Sequence, residues 1–401
     1  MPETRWRMLA VLFGARTALG FQFQTIASAA PFLTDRLGIG FAEIGTLIGL
    51  YTLPGVLLAF PGGLLVRRFG DKPLCCTGLG LMVLGGAVMG LGEGYASLLA
   101  GRLISGIGGV FLGLAVTKMT TDWFAEKGMV TAMSILLTSW PLGIAAGLLA
   151  YAPLAQAQGW PWVMYLSAAA CLIALALIAA FYRAPPASSS PQLAPASGLP
   201  KPSMFALPPR EQMRPVIVAG FAWGTFNLAL LAYFSFVPQF LAEHGFGLAE
   251  AAFATSLVLW VMIVSMPLGG HRLQQSGRPD TGVMLFSVAA GLVMVGLPFA
   301  PAAAIVFALI IGCLLGPPPG ALLAMPGRVL RPETRAVGFG VFMTVYNLVM
   351  VAGPMLLGAL RNQFGAVAPV LVGPALFMSV APLTLLFRRL QPSPAETSLS
   401  K

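Results

Sequence analysis

Acidic residues are scarce in this chain: 13 Asp and Glu among 401 residues, none deep inside an apolar run. Charged residues of both signs make up only 9%, against about 25% in soluble domains. Two or three soluble domains of this length would need far more polar surface. Histidine is nearly absent, and His244 and His271 both fall in loops. A buried carboxylate or histidine relay, the usual titrating device of proton-driven carriers, is therefore not expected. Nor is an intramembrane enzyme. The four cysteines, Cys75, Cys76, Cys171 and Cys313, lie in or at the edge of apolar runs without metal-ligand spacing. Neither a metal site nor a disulfide framework is expected. "GLGLMVLGG" has no strand before it and is no phosphate cradle, so no cofactor is expected.

Apolar runs are what the chain has in quantity. Hydrophobic residues make up 57%, gathered into runs of about 20, the length that crosses a bilayer as a helix. Twelve are counted, at about 8–33, 42–66, 73–92, 97–120, 129–153, 161–182, 214–241, 249–270, 281–300, 302–326, 336–359 and 366–387. The boundary between the ninth and tenth, "FAPAAA", is the weakest. "MPETRWRM" leads directly into the first run, so no cleavable leader is expected. The net charge of +10 raises nucleic acid as a partner, and its distribution argues against that. Eighteen of the 23 Lys and Arg fall in the termini and even-numbered loops, with Arg36 and Arg361 as exceptions. This bias predicts a multi-pass membrane protein with both termini cytoplasmic.

The chain divides at "APPASSSPQLAPASGLPKPSMFALPPREQ", a Pro/Ser/Ala-rich stretch without apolar period that reads as a flexible linker. The expected organisation is a six-helix half at 1–183, a cytoplasmic linker at 184–212, and a second half with a short tail at 213–401. The halves echo each other. At an offset of 207, "PFLTDRLGIGFAEIG" from Pro31 meets "PQFLAEHGFGLAEAA" from Pro238, and Gly62, Gly63 and Gly70 meet Gly269, Gly270 and Gly277. At 206, "AMSILLTSW" meets "GFGVFMTVY". Three matches in order predict a six-plus-six duplication.

With these motifs the chain resembles the major facilitator superfamily over nearly its whole length. The family's loop after the second span has a glycine, an Asp-Arg pair, then glycine and basic residues. Here it reads Gly63, Arg67-Arg68, Gly70, Lys72, with Arg67 in place of the aspartate. "RLISGIGG", Arg102 to Gly109, is similar to the family's fourth-span pattern. The fifth-span Gly-Pro pattern of exporters is incomplete in "SWPLGIAAG", while Gly353-Pro354 stands in the eleventh span. The resemblance implies an all-α membrane protein of twelve helices in two six-helix pseudo-repeats, with substrate bound at mid-membrane and one half rocking against the other. Gly63, Arg67, Arg68, Gly70 and Lys72, with Gly270 and Gly277 in the second half, are then candidate gating residues. Simple topology-setting charge remains the other reading.

Inside the spans, what remains is basic charge. Arg16 lies nine residues past Arg7, about 13 Å along a helix at 1.5 Å per residue, too deep to reach the interface easily. An arginine there costs about 3 kcal/mol or more. Arg16, Thr17, Gly20, Gln24 and Ser28 share one helical face. With no acid at depth, the partner of Arg16 is backbone, water or a bound anion. It is either a ligand or a fixed strut. Arg102 is a second candidate, for substrate contact or for structural hydrogen bonding. Lys118 sits near a span end. At the repeat position of Arg16 stands Trp223, one turn before Asn227, a candidate cavity residue. Trp140 in the fifth span and Tyr346-Asn347 in the eleventh are candidate walls. "GPPPGALLAMPG" (316–327) predicts a broken tenth span, since its prolines remove backbone donors.

The expected function is secondary transport of a small anion, held by Arg16 with Gln24, Asn227 and Arg102, in a carrier similar to the cyanate-permease or oxalate-formate type. Coupling by proton symport through the substrate's own protonation, exchange and facilitated diffusion all stay open. The partners expected are the anion, a coupled proton and the bilayer, with the chain a monomer. Two rivals remain: an exporter of drugs or metabolites on the same fold, and a non-transporting membrane sensor.

Overall fold

The structure is a computed structural model, and it describes residues 2–58, 70–124, 128–185, 208–331 and 334–391. Helices follow the apolar runs, and no strand occurs among the described residues. Eleven helical segments there are long and apolar enough to cross a membrane. The first span lies outside that set because it carries Arg16, Gln22 and Gln24. It is built from two helices, Pro2–Phe23 and Thr25–Leu37, that meet at Gln24. Counting it, the spans number twelve.

The break at Gln24 has no glycine or proline to cause it. Instead, side-chain donors crowd the carbonyls of that turn. The Tyr151 hydroxyl donates to the Phe21 carbonyl at 2.9 Å, and the Thr25 hydroxyl to that of Gln22 at 2.9 Å. Arg102 donates to the Gln22 and Phe23 carbonyls, each at 3.4 Å. Donors that compete for the carbonyls of a helix loosen its ladder.

Two groups of six spans pack mainly within themselves: third on fourth and sixth, and seventh on eleventh and twelfth. Contact between the groups is heaviest where the second span meets the eleventh and the fifth meets the eighth. The duplication also appears in the backbone. Gly38 and Gly245, Gly70 and Gly277, and Gly159 and Gly365 all have positive φ. Each pair closes equivalent turns at an offset of 207 or 206 residues, in a conformation glycine adopts without strain. Sequence comparison found the first two pairs; the third has no matching neighbours to reveal it.

A second repeat joins side chains. Asp71 lies in the first turn of the third span (Asp71–Leu91), and Lys118 of the fourth (Tyr95–Phe124) reaches it at 2.6 Å. Asp280 lies in the first turn of the ninth (Pro279–Val295), and Arg328 after the tenth reaches it at 2.7 Å. A carboxylate at a helix N-terminus is favoured by the helix dipole, and each is tied to the following span. Lys118 also binds Asp122 at 2.8 Å. These charges mark one end of the molecule, called the basic end below.

The tenth span is broken as its prolines require. Ala304–Leu315 is one helix and Pro318–Ala324 another, followed by a turn at Pro326–Arg328. The Ser265 hydroxyl of the eighth span holds the Gly312 carbonyl before the break at 2.8 Å. The weak boundary after the ninth span is made by two short turns, Leu297–Phe299 and Pro301–Ala303.

Candidate functional site

The first span (Pro2–Phe23) and the fifth (Met129–Gln158) lie backbone to backbone. A Cβ at Gly20 would meet the Trp140 carbonyl, and one at Gly143 would meet Thr17 and Phe21. Only glycine permits that approach, and it brings Arg16 within reach of the fifth span. One terminal nitrogen of Arg16 donates to the Leu136 carbonyl at 2.7 Å and lies 3.5 Å from the Ser139 hydroxyl. Ser139 itself donates to the same carbonyl at 2.6 Å. The guanidinium is thus anchored at one corner. No carboxylate among the described residues pairs with it.

The rest of the guanidinium faces a cavity of about 230 Å³ between the two groups of spans. Its first-half wall includes Arg16, Leu19, Trp140 and Ile144. Its second-half wall includes Trp223, Phe226, Asn227, Leu259, Met262, Leu323 and Tyr346. Trp223 lies parallel to Phe226 with centroids 6.2 Å apart, and 6.2 Å from Tyr346 at a tilt. Trp140 packs on Phe23 at 5.1 Å. Asn227 donates to its own helix at Trp223, 2.7 Å, which leaves its carbonyl oxygen available. Pro319, from the broken tenth span, lines the cavity.

An adjoining space of about 690 Å³ shares Arg16, Trp140 and Tyr346 and continues past Asn347 to Lys118 and Thr121, at the basic end. At the opposite end the walls meet. A Cβ at Gly45, Gly49 or Gly358 would collide with backbone across the contact of second and eleventh spans. There Arg361, almost fully buried, bonds Glu243 at 2.6 Å and stacks its guanidinium on Phe41, 3.8 Å from the ring centroid. The Asn362 side-chain oxygen accepts the Phe41 backbone N–H at 2.8 Å. Sequence reasoning saw Arg361 only as an exception to the charge bias. Its place at the wrong end, shared only with Arg36 among the exceptions to the bias, was the available signal.

Of the sequence candidates, Arg16, Trp140, Asn227 and Tyr346 meet at one cavity, and Asn347 lines its extension. Gln24 lies elsewhere, at a void of about 20 Å³ shared with Gln239 near the closed end. It donates to Ser28 at 3.1 Å. Arg102 is fully buried away from the cavity. Its Nε donates to the Leu47 carbonyl at 2.9 Å, its other nitrogens hold Gln22 and Phe23, and it lies over the Tyr51 ring at 4.5 Å. All three of these hydrogen bonds go to backbone carbonyls of the protein, the arrangement of a strut rather than of a contact for a ligand. Lys72 caps the sixth span (Trp160–Phe181) through the carbonyls of Ala179 and Tyr182, at 2.8 and 3.0 Å. It therefore ties neighbouring helices within one half. Gly70 and Gly277 are turn residues with positive φ, and Gly270 faces a separate space between the fifth and eighth spans. Gly63, Arg67 and Arg68 lie outside the described residues. The cavity-lining Met262, Leu259 and Leu323 were missed because nothing in sequence separates them from packing residues.

A multi-pass helical protein with two groups of six spans around a central cavity has the architecture of a membrane carrier. The family model of the Major Facilitator Superfamily matches residues 12–354, and the chain belongs to that family. It is similar to the hexuronate transporter of Bacillus subtilis (strain 168), 23% identical over 61% of this chain, and spans 58% of that protein's length. It is also similar to a putative tartrate transporter of Agrobacterium vitis, 23% identical, covering 93% of this chain and 87% of the other. The 3-(3-hydroxy-phenyl)propionate transporter of Escherichia coli (strain K12) is 25% identical, covering 87% and 85%. The fold matches a crystal structure of a bacterial homolog of the human lysosomal transporter Spinster, described as inward-facing and occupied. The TM-score is 0.73 at 17% identity, covering 97% of this chain and 99% of the other.

Proposed function

We propose that this chain is a secondary carrier for a small organic anion, working by alternating access in the bacterial inner membrane with both termini cytoplasmic. One observation carries the reading: Arg16 has no acidic partner among the described residues, is anchored at one corner only, and turns its remaining edge to the cavity between the halves. In a water-poor site such a cation attracts an anion, and its planar fork suits a carboxylate. The named relatives support the class, since hexuronate, tartrate and hydroxyphenylpropionate are all acids. Residues 1–183 and 213–401 are the bodies that rock. The cavity reaches the basic end, so the opposite passage requires the Phe41–Arg361–Glu243 contact to part. The proposed unit is a monomer, and a proton carried with the substrate, exchange and facilitated diffusion are the couplings open to it. The exporter reading draws on the apolar walls, but Arg16 opposes the cationic drugs such a carrier would take.

The test is thermal stabilisation of the purified full chain by a panel of small carboxylates and inorganic anions, with Arg16→Gln alongside. At least one organic anion should raise the melting temperature of the parent protein and not of the variant. Equal stabilisation of both would remove Arg16 from the site.

A further inference from the structure

We infer that the carried anion is a monocarboxylate with a flat, apolar body, and not a polyhydroxylated or dicarboxylic acid. The inference rests on the anion reading above and narrows it.

The argument starts from the inventory of charge. Arg16 is the one charged side chain among the described residues that line the cavity of about 230 Å³. Lys118, at the mouth of the adjoining space, is already paired with Asp71 and Asp122. One carboxylate therefore finds a partner. A second would be taken out of water against carbon, the costliest form of burial.

The remaining wall tells the same story. Thr117 spends its hydroxyl proton on the Gly113 carbonyl at 2.7 Å, and Asn227 spends one N–H on Trp223. The Asn227 oxygen and its second N–H, the Thr117 oxygen, the Tyr346 hydroxyl and the indole N–H groups are what a ligand can use. They suffice for one hydroxyl or two. A sugar acid brings more, and its excess would face Phe226, Leu259, Met262 and Leu323 once the halves close and exclude water. The near-parallel Trp223 and Phe226 rings present flat apolar surface, and methionine adapts to bodies of different outline.

The test is equilibrium binding to the purified full chain, read by the fluorescence of its own tryptophans, two of which wall the cavity. Four probes are used: phenylacetate, phenylacetamide, glucuronate and tartrate. Phenylacetate should bind, and the uncharged amide at least about tenfold more weakly, for loss of the charge-assisted contact. Glucuronate and tartrate should bind on the order of 100-fold more weakly, the scale set by unmatched polar groups. If glucuronate or tartrate binds as tightly as phenylacetate, the apolar-body inference falls while the anion reading stands. If the amide matches the acid, the anion reading itself falls. Failure of all four probes overturns the inference.

Discussion

Two arginines stand within the membrane spans of the first half, in similarly apolar sequence, and the fold treats them in opposite ways. Arg102 meets three backbone carbonyls and two aromatic rings and is fully buried. Arg16 meets one carbonyl and keeps an edge on a cavity. The difference is set by what surrounds each side chain. At Gln24 the first span breaks, and Arg102 lies beside the carbonyls of that turn. At Arg16 the first span is an unbroken helix, whose carbonyls are occupied, and its acceptors, the Leu136 carbonyl and the Ser139 hydroxyl, come from the fifth span. An arginine at depth is a strut where the backbone supplies acceptors and a candidate ligand where it does not.

The largest expected effect tests the strut. Arg102→Met keeps the bulk of the stem and removes every donor. It leaves the Leu47 carbonyl buried without that partner, and an unsatisfied group of this kind costs about 1–3 kcal/mol. With the weaker bonds at the helix break also lost, destabilisation of roughly 3 kcal/mol is expected. Melting of the purified variant should show it, while the fraction that folds should bind anions normally. A normal melting temperature would refute the strut assignment.

Arg16→Gln should show the reverse pattern. Affinity should fall by about 2 kcal/mol or more, the scale for losing one member of a desolvated charge pair. Stability should change little, because one bond to Leu136 is lost while a costly charge leaves the membrane. Arg16→Lys keeps the charge without the planar fork and should lie between. Isothermal titration and melting on the same preparations separate the two arginines directly. A stability loss like that of Arg102→Met, with unchanged affinity, would make them alike after all.

Much of this arrangement was open to reading from residues. The apolar runs marked the spans, the repeated glycines marked the duplication, and Arg16 stood out by its depth. Arg16, Trp223 and Asn227 fell on the expected faces because helical periodicity is local. The break at Gln24 was invisible, since apart from Thr25 its donors come from Tyr151 and Arg102, far along the chain. The fate of Arg102 follows from that break and was equally hidden. Gln24 was placed on the wet face by an unbroken helical count, which carries it past the turn where the helix stops. Arg361 makes its contacts only when second, seventh and eleventh spans assemble.

Arg361 extends the comparison to a third arginine, one that has an acid. Its contacts join both halves at the closed end: Glu243 belongs to the second half and Phe41 to the first. Arg361→Leu removes the stacking on Phe41, which crosses the halves, and the pair with the half-exposed Glu243, worth about 1–2 kcal/mol together. Occupancy of the state open at that end should rise several-fold. A cysteine placed in the cavity wall should then label faster from the outer side. Unchanged labelling would mean that the glycine-lined contact of Gly45, Gly49 and Gly358 holds the end closed by itself.

The smallest effect is expected at Lys118, and its smallness sharpens the rule. Lys118 has two carboxylate partners at 2.6 and 2.8 Å, shorter contacts than any Arg102 makes. Yet its side chain is 44% exposed, and water competes for both partners. Exposed pairs contribute about 0–1 kcal/mol. Removing the lysine also leaves Asp71 and Asp122 free to be hydrated rather than stranded. Lys118→Met should therefore lower stability by less than about 1 kcal/mol, with the loss shrinking as salt is raised. A loss approaching that of Arg102→Met would show that distance to a partner, and not burial, decides what a basic residue contributes in this fold.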